Sequence, residues 1–332
     1  MHRAFPIAVS AAGILFALLS AGQVVARDRE VARQTSFGGS CISCELAGRN
    51  LSGARIAGAN FSGANLTGAN LRGARLHASN FTGADLTKAD LSDAAMSGAN
   101  FTGANLTGAR LHSTEVMGVS FTGATLSMAD LSEAETSGAT FRKTVMIDAD
   151  LRSANLKGAS FEQADLSSAD LREANASGAN FSRARLTGAN FHSAGLRGAS
   201  FGRVEASGVS FRDARMNGAS LSFGEFASAS FRSADLTGAN LSNSRFYRAD
   251  FRDADLSRTG LAGADLSNAV GLSQDQLDEA CSGPGTRLPR GMIGRTCVGV
   301  RYPTRPETAR PLPPAPPAQT AAPRLVSTPG SR

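Results

Sequence analysis

The chain of 332 residues has no tryptophan, two tyrosines, four cysteines and four histidines. Beyond the first segment only His77, His112 and His192 are available for acid–base work. No glycine-rich phosphate loop and no cluster with metal-ligand spacing is present, so no cofactor and no metal are implied. The chain also lacks apolar runs. The single one, Ile7 to Leu19, is short for a membrane span. It follows His2 and Arg3 and precedes Val24 and Ala26, which stand in an A-x-A-like arrangement. Residues 1–26 therefore read as a signal peptide, with the mature protein beginning near Arg27 and sent to the periplasm or outside. The alternative is an uncleaved anchor. Once the signal is removed, no stretch remains that could cross a membrane.

What the chain has instead is a period of five. Leu46, Leu51, Ile56, Phe61, Leu66 and Leu71 open a grid of apolar residues that continues to Leu256, Leu261 and Leu266 without a slip. Of the fifteen phenylalanines between 46 and 270, fourteen fall on this grid and only Phe223 lies off it. From Ile56 on, two residues before each grid position stands Ala, or occasionally Ser, Thr, Val or Gly; one before it stands mostly Asn, Asp, Ser, Thr or Arg. Five is neither the helical nor the strand period, and such self-similarity marks a repeat architecture. A period of twenty lies above it, in Phe61, Phe81, Phe101 and Phe121 and in Gly98, Gly118 and Gly138.

Twenty is four fives. The pattern predicts a four-sided coil with one pentapeptide per side, the grid residue and the Ala pointing inward and the other three residues outward. Successive coils would pair as parallel strands about 4.8 Å apart. About eleven coils would then fit in 46–270, giving a rod roughly 54 Å long. Its stability would accumulate along one dimension, and its ends would need caps. The small or polar grid residues Thr136, Ala176 and Ala206, and the stretch from Lys143 to Ile147, predict thin packing or a distorted corner.

The strings GANFSGANLTGANLRGARL (58–76) and GANFTGANLTGARL (98–111) resemble the pentapeptide repeat family, whose motif is A(D/N)LXX. The resemblance covers about two thirds of the chain. It implies an all-β solenoid, a right-handed quadrilateral parallel β-helix.

Export makes the cysteines disulfide material. Cys41 and Cys44 precede the first expected coil, in the segment 27–45, and Cys281 and Cys297 follow the last. A rod of that length keeps the two ends beyond bridging distance, so local pairs are expected, Cys41 with Cys44 and Cys281 with Cys297. A redox role for the C-x-x-C is the competing reading. Residues 271–301 read as a cap. Ser273-Gln274-Asp275-Gln276 forms a capping box, with Leu272 and Leu277 as the hydrophobic staple. Leu277, Ala280 and Cys281 would share one face of a short helix that Gly283-Pro284-Gly285 stops. The stretch from Gly271 to Cys297 also resembles a C-terminal segment of some exported bacterial members of the family. From 302 to 332 the chain is rich in Pro, Ala and Arg, a composition that cannot bury a core and predicts an extended or disordered tail.

The formal net charge is +6, yet residues 46–270 hold 22 basic and 21 acidic side chains. Some members of the family act on DNA gyrase through a strongly acidic, duplex-like rod. This rod lacks that excess, which together with export weighs against a topoisomerase modulator. Arg152, Arg172, His192, Arg212, Arg232 and Arg252 recur every twenty residues on one face. They form either a salt-bridge ladder neutralised by nearby acids or an anion stripe for an acidic polymer or glycan. Nucleic acid is disfavoured, because no aromatic residues interleave for base stacking. His112 and His192 would stand four coils apart, roughly 19 Å, too far to serve one reacting group. A non-enzymatic scaffold or interaction rod, most simply for a protein partner, is the expectation.

Overall fold

The computed structural model describes residues 39–296. The chain divides into two units, Met1–Tyr302 and Pro303–Arg332, and the described residues belong to the first. The expected signal peptide, Cys297 and the tail lie outside the described residues.

From Ser40 to Val270 every fifth residue pairs in parallel with the residue twenty positions on, beginning with Ser40–Asn60 and ending with Asp250–Val270. This is the four-sided coil that the period of five requires. Each side is so short that its ladder contact is a single bridge, and a tight turn follows.

The pentapeptide accounts for all five of its backbone N–H groups, which explains its sequence. Around Phe81, the Phe81 N–H donates to the Asn100 carbonyl and the Gly83 N–H to the Thr102 carbonyl, both on the next coil. The Asn80 N–H donates to Ala59 on the preceding coil, and the Ala84 N–H closes the turn onto Phe81. The remaining N–H, on Thr82, has no backbone acceptor, and the Asn80 side-chain oxygen takes it at 3.1 Å. The Asn or Asp before the core residue is thus a turn acceptor for an otherwise orphaned donor. Threonine or serine at the next position adds a hydroxyl bond to the same oxygen, as Thr102 does to Asn100 at 2.6 Å. From Ser43 to Gly263, φ two residues after each core position is positive, as at Gly63 with 62° and Lys143 with 57°. This left-handed requirement is why glycine is frequent there.

The interior is a line of stacked side chains. Phe61 through Phe201 form one column whose neighbouring rings lie 4.7–5.1 Å apart. Each such aromatic pair contributes about 0.5–1.5 kcal/mol beyond its burial. A second column, Phe191, Phe211, Phe231 and Phe251, stacks at 4.9–5.2 Å. Where the columns overlap the rings meet edge to face, as Phe181 and Phe191 do at 5.5 Å.

Several expectations need correction. No corner is distorted at the irregular repeats: the pairing passes through Glu135–Asn155, Val145–Asp165, Asn175–Gly195 and Glu205–Glu225 without interruption. Thr136 is fully buried and its hydroxyl donates to the Asn155 carbonyl at 3.0 Å. Ala176 and Ala206 are equally buried. Ala206 stands between Phe201 and Phe211, where two phenylalanine columns overlap, so its small volume offsets a second ring. The coil also starts before the expected Leu46. Cys41 occupies an inward position, 7% exposed, and its N–H pairs with Asn60.

The C-terminal segment continues the coil irregularly. Helix α1 (Gln274–Glu279) takes the place of one side, and its capping box is formed by Ser273 and Gln276. The Gln276 amide also donates to the Phe251 and Ala254 carbonyls at 2.9 and 2.7 Å. Leu277 and Ala280 close on the core. The helix ends at Glu279, with Ala280 extended, earlier than Gly283-Pro284-Gly285 and without their help. Ala280 and Cys281 are therefore buried beside Leu277 but are not on its helix. Cys281 and Arg287 then resume the bridges, to Gly260 and Asp265.

Candidate functional site

Cys41 and Cys44 form a disulfide, with Cα atoms 5.2 Å apart. They hold the core position and the Ala position of one turn, which the Cys44 N–H also closes onto the Cys41 carbonyl at 3.3 Å. The bond therefore braces the first turn of the coil. Cys281 is disulfide-bonded as well; its expected partner, Cys297, lies outside the described residues.

The arginine column stands on one face, and most of its members are occupied. Arg152, Arg172 and Arg252 each fold back onto the Asp two residues earlier, with Nη2 to carboxylate distances of 2.6, 2.7 and 2.5 Å. Arg212 lies 3.2 Å from Asp213. Asp150, Asp170 and Asp250 also accept the backbone N–H of their arginines. Burial works against the Asp150 carboxylate, but the bonds from Arg152 and the charges of Arg152 and Arg172 hold it below the usual range. For Asp250 the hydrogen bond from Arg252 is the largest influence and acts in the same direction. Arg232 makes no ion pair among the described residues. The column is thus a ladder of local pairs on an exposed face, where each contributes little.

The structure brings together one constellation that sequence reasoning passed over. Ser193 Oγ lies 3.4 Å from His192 Nε2, and His192 Nδ1 lies 3.4 Å from Asp213. Serine, histidine and aspartate in this order are the residue types of nucleophilic catalysis. The geometry lacks the rest of the machinery. The shorter contact of Nδ1 is to the Arg212 carbonyl at 3.1 Å. The N–H groups beside the serine are committed, Ser193 to Arg212 and Ala194 to Phe191, so neither is left for an oxyanion. His112 repeats the theme, between Ser132 at 2.9 Å and Ser113 at 3.2 Å, with no carboxylate on the ring. The signal was a His-Ser dipeptide at both sites.

Beside Ser193 an open groove of about 480 Å³ runs between coils, lined among others by Glu173, Asn175, Ser177, Gly195, Arg197 and Arg215. Among the described residues no group of His, Cys, Asp and Glu is arranged to hold a metal ion, and no helix is long and apolar enough to cross a membrane.

Comparison with known proteins agrees with this architecture. A solved structure that the chain resembles is HetL, a pentapeptide repeat protein involved in heterocyst differentiation regulation from the cyanobacterium Nostoc sp. strain PCC 7120. The TM-score is 0.51 and the identity 26%, over 70% of this chain and 93% of HetL. QnrB1, a plasmid-mediated fluoroquinolone resistance protein, is 23% identical over 59% of this chain and 91% of its own, with a TM-score of 0.32. A pentapeptide repeat protein of the Arabidopsis thaliana thylakoid lumen is 28% identical over 36% of this chain and 73% of its own, with a TM-score of 0.19. No curated protein matches the chain. The model of pentapeptide repeats matches eight copies, over residues 44–83, 84–123, 100–135, 124–167, 164–203 and 234–270. The stretch it passes over, 204–233, holds Ala206, Phe223 and Gly224, yet the bridges run through it unbroken. With more than half of its residues matched and with the coil those repeats build, the chain belongs to the pentapeptide repeat family, whose fold is the right-handed quadrilateral β-helix.

Proposed function

We propose that the protein is an exported, non-enzymatic interaction rod that presents its flat side-chain ladders to a protein partner. The observation that carries this reading is the fixed outward register. The Asn80 amide donates to Ser62 on the preceding coil, and Asn100 does the same to Thr82. Asn80 also accepts the Thr82 hydroxyl within its own turn. Side chains ordered in this way lose little further freedom when a partner docks, which favours binding. Membership of a family of repeat scaffolds supports the same reading. Export is supported by the N-terminal pattern and by the bonded state of Cys41, Cys44 and Cys281, a chemistry at home in oxidising compartments.

Cross-linking in intact cells followed by affinity capture of the mature protein tests the reading. A specific partner, and an N-terminus near Arg27 in protein recovered from outside the cytoplasm, are the expected results. A chain that retains Met1 in the cytoplasm overturns the export half; the absence of any cross-linked partner overturns the interaction half.

A further inference from the structure

We propose that the groove at Gly195 binds a carboxylated polysaccharide. This site lies off the arginine ladder and goes beyond the protein-docking reading.

Gly195 interrupts a column that otherwise carries side chains outward, with Asn155 and Asn175 before it and Arg215 and Asp235 after it. Nothing in the backbone demands glycine here. Gly195 is absent from the residues with positive φ, and an added Cβ would make only ordinary contact, nearest to Asn175 Oδ1 at 3.6 Å. The missing side chain leaves a notch in the face. Arg197 and Arg215 flank it, both exposed. Neither forms an ion pair among the described residues, in contrast to Arg152, Arg172 and Arg252 one face away. Lys157, also exposed and without an ion pair among the described residues, stands two coils before Arg197 in the same column. Between Glu135 and Asp235, both bridge positions of this column, the outward side chains of this face include these three cations and no acid.

The remaining lining decides the ligand class. The Asn217 amide donates to Asp235 and the Asn175 oxygen accepts from Ser177, which leaves the Asn175 amide group and the Asn217 carbonyl oxygen turned to the groove with the Ser193 hydroxyl. These match sugar hydroxyls, while guanidinium groups pair with planar carboxylates through two parallel hydrogen bonds. The largest apolar side chain in the lining is Ala174, so peptide side chains would find no apolar surface. Glu173 at the rim opposes dense anions such as polyphosphate and favours one charge per sugar unit.

Full-length mature protein, titrated calorimetrically with oligogalacturonate at low salt, tests the site. Polyphosphate, poly-glutamate and neutral dextran are the comparison probes. Oligogalacturonate is expected to bind, to weaken as salt is added, and to exceed all three. Arg197→Ser with Arg215→Ser is expected to weaken it by about tenfold or more, as loss of two charge-assisted contacts implies. Gly195→Asn restores the side chain found at 155 and 175, and is expected to weaken binding by filling the notch. Arg152→Ser with Arg252→Ser is expected to leave it unchanged. Thermal melts confirm that each variant is folded. No binding by the parent, tighter binding of polyphosphate or poly-glutamate, or equal loss in the ladder variant would each overturn the assignment.

Discussion

Between Phe61 and Phe181 the coil carries one aromatic column. Leucine, methionine or smaller residues fill the other three sides. Between Phe191 and Phe251 it carries two, because Phe226 and Phe246 take over from the first column and join the second on an adjacent side. The backbone pairing is the same in both regions. What changes is how volume is distributed. Phe201, Ala206, Phe211 and Met216 follow one another around the coil, where the earlier coil has Phe81, Leu86, Leu91 and Met96. Gly224 makes the same point at finer scale: a Cβ there would meet the Phe226 ring at 2.4 Å. The interior is close-packed and indifferent to which side holds the ring, provided that neighbours yield the space.

The largest test asks whether the two regions share one dependence on burial. Phe121 and Phe231 are both fully buried. Replacing either with Asp is expected to cost more than about 4 kcal/mol, the range of an uncompensated buried charge, and to abolish the cooperative melt. Survival of either variant with an unchanged melt would show that coils in that region open independently.

A second test targets the volume exchange itself. Ala206→Leu is expected to destabilise by about 1–3 kcal/mol through overpacking. Adding Phe211→Leu reproduces the Phe-Leu-Leu-Met order of the earlier coil and is expected to recover most of the loss. If the double variant is as unstable as the sum of its parts, the alanine serves some purpose other than making room. Chemical denaturation of the four proteins reads this directly.

Turn conformation separates the regions less sharply. In the early coils the left-handed position is mostly glycine, as at Gly53, Gly63, Gly73, Gly83 and Gly103; from 223 to 258 it is mostly not, with Phe223 at 62°, Asn243 at 61° and Arg258 at 60°. Gly103→Val is expected to lose about 1 kcal/mol or more, since a β-branched residue resists positive φ. Met128→Gly, at an exposed side chain with φ of 58°, is expected to raise the melting temperature. Phe223 has a compensation, since the Arg203 guanidinium lies 5.1 Å from its ring centroid, so its removal is expected to gain less.

The smallest effect concerns the ladder. Asp250 lies below its ordinary value, chiefly through the Arg252 hydrogen bond. Its folded pKa is depressed, so its contribution is fully present above the unfolded value of about 4 and is lost as pH falls through the folded one. Asp250→Asn retains an acceptor for the Arg252 N–H and removes the charge. It is expected to change stability little at neutral pH and to flatten the acid limb below about pH 4. Asp250→Ala also removes the turn acceptor and is expected to cost about 1 kcal/mol at neutral pH. Equal behaviour of the two variants would assign the whole effect to the ion pair.

The inward positions could be read from the sequence because a strict period of five leaves no choice of register. The role of the Asn or Asp before each core residue could not, since it depends on which N–H the coil leaves without a backbone acceptor. Ala206 looked like a defect for a related reason: its partners in volume, Phe201 and Phe211, lie on neighbouring sides. The early start at Ser40 was hidden because cysteine at 41 and 44 replaces the usual apolar and alanine residues. The arginine column was evident from spacing, but its occupation by aspartates of the same turns depends on side-chain geometry. The notch at Gly195 went unseen among thirty-five other glycines, most of which in the coil answer to positive φ.

The pairing of each residue with the one twenty ahead also governs how this chain can change its length. Removal or gain of one pentapeptide keeps every core residue inside but turns all later ladders onto the neighbouring face, so the arginine column would break in two. Removal or gain of four pentapeptides leaves each face continuous and alters only reach. Faces and length are therefore inherited as separate quantities, and a surface that recognises something can be extended without being redrawn.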